Sequence, residues 1–167
     1  MAANERTFNL DLQDAEGAPG PDGEIDASGA FFYNLRNLLN TRDNLRQAIA
    51  DLWVLSASVG DLQQIDGERK AFVGLSLGGI IGSTMLAFDN TFDSATLASP
   101  GGGLSRLFAA SPAFGPQVVA GLASAGIELD SPQGQQFLNA TQTLLDSADP
   151  VNHAAATAAN TMITRAG

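Results

Sequence analysis

The segment KAFVGLSLGGIIGSTM, residues 70–85, constrains this chain more than any other. A short apolar run, AFVGL, meets a Gly-x-Ser-x-Gly turn at 74–78, and a small-residue helical pattern, GGIIGSTMLAF, comes next. A continuous apolar run of that length suits a parallel strand covered on both faces. In this strand–turn–helix context the turn forces its serine into a strained backbone and lifts the hydroxyl above the sheet. Gly74 and Gly78 lack Cβ atoms, which predicts a close approach of strand and helix around the turn. Gly79, Gly82 and Ser83 continue a small face that lets the helix lie tight on the sheet. Ser76 is therefore the candidate nucleophile. The N–H of Leu77, at a helix N-terminus, is the candidate oxyanion donor. The competing reading is a tight strand-to-helix turn with no chemistry.

The rest of the chain supplies an α/β frame for that turn. FNLDL (Phe8–Leu12) alternates as a short half-buried strand would, and a Gly/Pro/Asp-rich loop succeeds it over 13–29. Its acids, Asp14, Glu16, Asp22, Glu24 and Asp26, miss the EF-hand register and read as a solvated loop. FFYNLRNLL suggests a short helix. Thr41 then reads as the N-cap of a longer one, with Leu45, Ala48, Ile49, Leu52, Ser56 and Val59 on one face, Asp43 in its first turn and Trp53 packing beside the stripe. SATLAS (Ser94–Ser99) reads as the strand after the Ser76 helix. Helix, strand, helix, strand in this order implies a parallel sheet. Ser111-Pro112, Ser131-Pro132 and Asp149-Pro150 each look like an N-cap with proline behind it, opening helices near 112–124, 132–147 and 150–163. No strand is evident among them.

A serine nucleophile needs a base, and the base an orienting acid. His153 is the single histidine in 167 residues. Ser76, then one of Asp130, Asp146 or Asp149, then His153 satisfies the order nucleophile, acid, base. Asp149 and His153 are four apart and would share a helix face. Against this, His153 comes after a helix start and not a strand end, and its bland reading is an ordinary helix residue. The usual second oxyanion element, a His-Gly loop, is absent upstream of Ser76, and PGGG (Pro100–Gly103) lies downstream and reads as a turn. With no cysteine, thiolate catalysis, disulfides and Cys-based metal sites drop out. A net charge of −10 argues against nucleic acid and anionic lipid surfaces. No apolar run approaches the roughly 20 residues of a membrane span, and the start of the chain does not read as a secretory signal. These features leave the compartment open. No metal or cofactor is expected.

ERTFNLDL, TRDNLRQAIADLWVL, FVGLSLGGIIGSTMLAF and ATLASPGGGLSRL together resemble an internal segment of bacterial extracellular lipases. These are the virulence-factor group that includes VolA-type surface lysophospholipases. The likeness runs from about Glu5 to Ala155. It implies an α/β-hydrolase fold, a cell-envelope or extracellular setting, and an esterase or lipase acting on acyl esters through Ser76 and the Leu77 N–H. Such a lipase has earlier strands with an oxyanion loop and later strands bearing acid and base, so no acid or histidine carries over.

The expectation is a small or truncated α/β-hydrolase-type parallel sheet with flanking helices, in a single domain overall. A partial core spans 1–103 and a helical cap or lid 104–167. The stripes Leu104, Leu107, Phe108 and Phe114, Val118, Val119, Leu122 would face a lipid interface in a mobile lid, or a core in ordinary packing. The exposed edges of so small a sheet predict a homo-oligomer. The rival expectation is an inactive α/β-hydrolase fragment or interaction module that keeps the elbow as a structural turn.

Overall fold

A computed structural model describes residues 10–12, 14, 20–26, 32–34, 37–63, 65–160 and 162–166. The chain divides into two compact units, Met1–Tyr33 and Asn34–Gly167. In the first, Leu10–Leu12 is not a strand, and Phe8 and Asn9 of the expected strand lie outside the described residues. The alternation is overridden by loop hydrogen bonding. Asp11 accepts the N–H groups of Asp22 and Gly23, both at 2.9 Å, and the Leu12 N–H donates to Asp26 at 2.7 Å. Asp26, expected to be merely solvated, thus braces the loop together with Asp11 of the expected strand. Among the described residues no group of three or more metal-ligating side chains occurs.

The second unit is built on a parallel sheet. β1 (Ala71–Leu75) leads through the Ser76 turn into α2 (Leu77–Leu86), and β2 (Ser94–Ala98) pairs with β1 from Ala71↔Ser94 to Leu75↔Ala98. α1 (Leu38–Ser58) precedes them. Beyond β2 come α3 (Leu104–Ala110), α4 (Gly115–Ser124), α5 (Pro132–Leu145) and α6 (Pro150–Asn160). β3 (Met162–Ala166) then pairs parallel with β2, giving the order β1-β2-β3. The architecture is mixed α/β, as the sequence implied. β3 corrects the expectation that the last third holds no strand, and α6 ends at Asn160, not 163. A five-residue strand after a long helix carries no pattern of its own; β2 recruits it.

Two further differences concern helix starts. α1 begins at Leu38, three residues before Thr41, with the Asn37 side chain accepting the Asn40 N–H at 3.3 Å. Thr41 is instead buried inside the helix, its hydroxyl exchanging hydrogen bonds with the Asn34 backbone. Asp43 consequently lies beyond the first turn and pairs with Arg42 at 2.7 Å. Phe31, Leu35 and Arg36 of the expected preceding helix lie outside the described residues. Ser111 caps a turn over 112–114 before α4 starts at Gly115. Ser131 does cap α5, accepting the Gly134 N–H at 3.1 Å.

The core lies between sheet and helices. Ile80, Ile81, Met85 and Leu86 of α2 meet Leu45 and Ile49 of α1 and Ala95 and Leu97 of β2, all buried. Phe72 of β1 lies against Gly82, where an added Cβ would overlap its ring, so a glycine seats α2 on the sheet. Only this face of β1 is covered. Val73 and Leu75 are 78% and 71% exposed, against the expectation of a strand buried on both sides. α3 packs on α4 and α5, while α6 lies along α2 and β3 completes the sheet. The stripes are largely inward: Leu104, Phe108 and Leu122 are buried, and of the seven only Val119 is exposed. Among the described residues no helix is long and apolar enough to cross a membrane.

Candidate functional site

Ser76 sits between the end of β1 and the start of α2 with φ 51° and ψ −113°. Such a φ is uncommon for a non-glycine residue and marks stored backbone strain. Three contacts impose it. The Ser76 N–H donates to Ala98 O of β2 at 3.0 Å, the Ser76 carbonyl accepts the Ile80 N–H at 3.0 Å to open α2, and Gly74 lies against the carbonyl of Gly78. A Cβ on Gly74 would stand 2.5 Å from Gly78 O and 2.8 Å from the Phe72 ring, so only glycine fits there. Gly78 corrects the sequence reading: a Cβ there meets nothing within 4 Å, because its carbonyl and not its α-carbon faces the strand. The small residue the helix start needs is Gly79, whose Cβ would press on Pro100 at 3.2 Å.

The Ser76 side chain is exposed and hydrogen-bonds no described residue. Leu77 is the first residue of α2, so its N–H is among the four that a helix leaves without an intrahelical partner. The helix dipole puts partial positive charge at the same place. The turn therefore presents a free hydroxyl beside a backbone donor, above the C-terminal edge of a parallel sheet.

The proposed acid and base are not brought to it. Asp149 is fully buried and its carboxylate is engaged in structure. Oδ1 accepts the N–H groups of Gly103 and Val151, both at 3.0 Å, and Oδ2 accepts Leu104 N–H at 2.6 Å and Gln142 Nε2 at 2.7 Å. It caps the starts of α3 and α6. The His153 ring turns away from it, with Nε2 3.3 Å from Ser147 O and the ring centroid 5.2 Å from that of Phe88. Phe88 lies just past the C-terminal end of α2, also touching Trp53, which donates to Met85 O at 3.1 Å. Ser76 lies at the other end of that ten-residue helix, about 15 Å away along its axis. Asp146 is held by Gln142 and Asn152. The i, i+4 spacing suggests a shared helix for Asp149 and His153, but Asp149 is the residue before α6 and points back at the loop ahead of α3.

Ser99, which the sequence pattern places inside a strand, belongs to this edge as well. It stands one position past β2 with φ 49°, and Ser76 and Ser99 are the described non-glycine residues with positive φ. Its sequence signal is a serine before proline at the end of an apolar run.

Away from this edge, Ser56, Lys70 and Asp89 form a second polar cluster. Lys70 Nζ donates to Ser56 Oγ at 2.9 Å, and Ser56 Oγ donates to Asp89 at 2.8 Å. Burial pushes the Asp89 carboxyl up, but hydrogen bonds from the Thr91 hydroxyl and N–H and from Ser56, with the Lys70 charge, hold it below its ordinary value. The cluster ties the end of α1 to the loop between α2 and β2.

No family model, curated protein or solved structure matches this chain.

Proposed function

We propose that the chain is a serine carboxylic-ester hydrolase of α/β-hydrolase type, with Ser76 as nucleophile. The observation that carries this reading is the strained, exposed Ser76 at a strand-to-helix turn with the Leu77 N–H beside it. In this mechanism Ser76 Oγ attacks the ester carbonyl carbon and loses its proton to a base. The tetrahedral oxyanion is held by Leu77 N–H. The C–O bond to the alcohol then breaks, the alcohol leaves with a proton, and an acyl-Ser76 ester remains. Water attacks that ester, releasing the carboxylic acid and restoring the hydroxyl. Leu107, Val118 and Val119 lie partly open to solvent, and contact of these helices with a lipid substrate belongs to the same proposal.

The second reading is an inactive interaction module with the elbow as a structural turn. It is favoured by the absence of any base within hydrogen-bonding distance of Ser76 Oγ among the described residues, and by the remoteness of His153. A fluorophosphonate probe beside turnover of a short-chain nitrophenyl ester decides between them. The hydrolase reading expects labelling and turnover that Ser76→Ala abolishes. Label and turnover absent from both proteins favour the second reading, whereas label and turnover that persist in Ser76→Ala remove Ser76 as the nucleophile.

A further inference from the structure

We propose that Ser99 is a second functional side chain of the Ser76 site, its hydroxyl donating a hydrogen bond to the ester group held against Ser76; this rests on the nucleophile reading of Ser76. The β1–β2 register ends at Leu75↔Ala98, so Ser76 and Ser99 are the next pair across the sheet. Adjacent strands lie about 4.8 Å apart at the last ladder pair, so the two serines leave the sheet at the same edge from neighbouring strand ends. The residues flanking Ser99 clasp the turn itself. Ala98 O accepts the Ser76 N–H, and Pro100 packs on Gly79 in the first turn of α2.

The strain at Ser99 is not explained by that clasp alone. Its φ of 49° is uncommon for any side-chain-bearing residue, and a proline in the next position further pushes a residue toward extended backbone. Glycine would meet the same corner without the penalty. Serine instead adds one hydroxyl, which is exposed and makes no hydrogen bond to a described residue. A strained corner that keeps an unpaired donor next to a second strained serine is placed to serve a ligand and not the fold. The far end of its loop is also fixed, because Asp149 accepts the N–H groups of Gly103 and Leu104. The backbone of the loop that carries Ser99 is therefore anchored at both ends.

Steady-state ester hydrolysis, fluorophosphonate labelling and thermal melting are compared for the wild-type chain, Ser99→Gly and Ser99→Asn. Glycine and asparagine both tolerate positive φ, but only asparagine carries a hydrogen-bond donor. Ser99→Gly is expected to melt at a higher temperature and yet lose about tenfold in kcat/KM, the effect of one hydrogen bond to substrate. Ser99→Asn is expected to gain similar stability and recover part of that loss. Wild-type activity in Ser99→Gly overturns the inference while leaving the role of Ser76 standing. A lowered melting temperature in Ser99→Gly overturns it by removing the strain. Failure of the wild-type chain to label at Ser76 refutes the nucleophile reading and takes this inference with it.

Discussion

Asp149→Asn separates a structural acid from a catalytic one. The native carboxylate is fully buried and satisfies four donors, two on each oxygen. The amide has one carbonyl oxygen, which can keep the Gly103 and Val151 N–H groups. Its NH2 then faces the Leu104 N–H and Gln142 Nε2, donor against donor. Gln142 cannot simply reverse its own amide, because its Oε1 accepts the Ser105 N–H at 3.2 Å and its Nε2 also donates to Asp146 at 2.9 Å. Two hydrogen bonds to a charged acceptor are lost, at roughly 1.5–3 kcal/mol each, for a total of about 4 kcal/mol. For a chain of this size that corresponds to a fall of roughly 8–16 °C in melting temperature. The assay is thermal and urea denaturation monitored by circular dichroism. A loss below about 1 kcal/mol would refute the reasoning. Native stability combined with a large fall in ester turnover would return Asp149 to the role of orienting acid.

The remaining predictions test the same placements. His153→Ala should leave the rate of Ser76 labelling unchanged and cost about 1 kcal/mol from the lost ring contact with Phe88; a hundredfold slower label would show that the imidazole reaches Ser76. Asp89 has a depressed folded-state pKa, so its contribution to stability is present above the unfolded carboxyl value of about 3.9 and is lost as pH falls through the folded value. Asp89→Asn should therefore flatten the stability-against-pH curve in that acid range, and an unchanged curve counts against the cluster. Self-association through the open side of β1 is proposed from the exposure of Val73 and Leu75. Light scattering should show wild-type chains larger than one protomer and Val73→Lys closer to one, whereas equal masses would place any interface elsewhere.

The sequence alone was sufficient where the cause is local. Ser131 can cap only the helix that starts beside it, the apolar face of α1 is written in Leu45, Ile49 and Ser56, and the glycine before Ser76 permits one kind of turn between strand and helix. Those features survive because each depends on neighbours a few residues away. The tertiary structure decided everything that depends on which distant segments meet. β3 exists because β2 offers it an edge, and Asp149 is a cap because the α3 loop returns to it across more than forty residues of chain. His153 is remote from Ser76 because α6 lies against the far end of α2. Ser99 comes to the edge of the Ser76 turn only through strand register, between Ala98 and Pro100, which contact the elbow. Periodicity describes one element at a time, whereas a site is assembled from the ends of several.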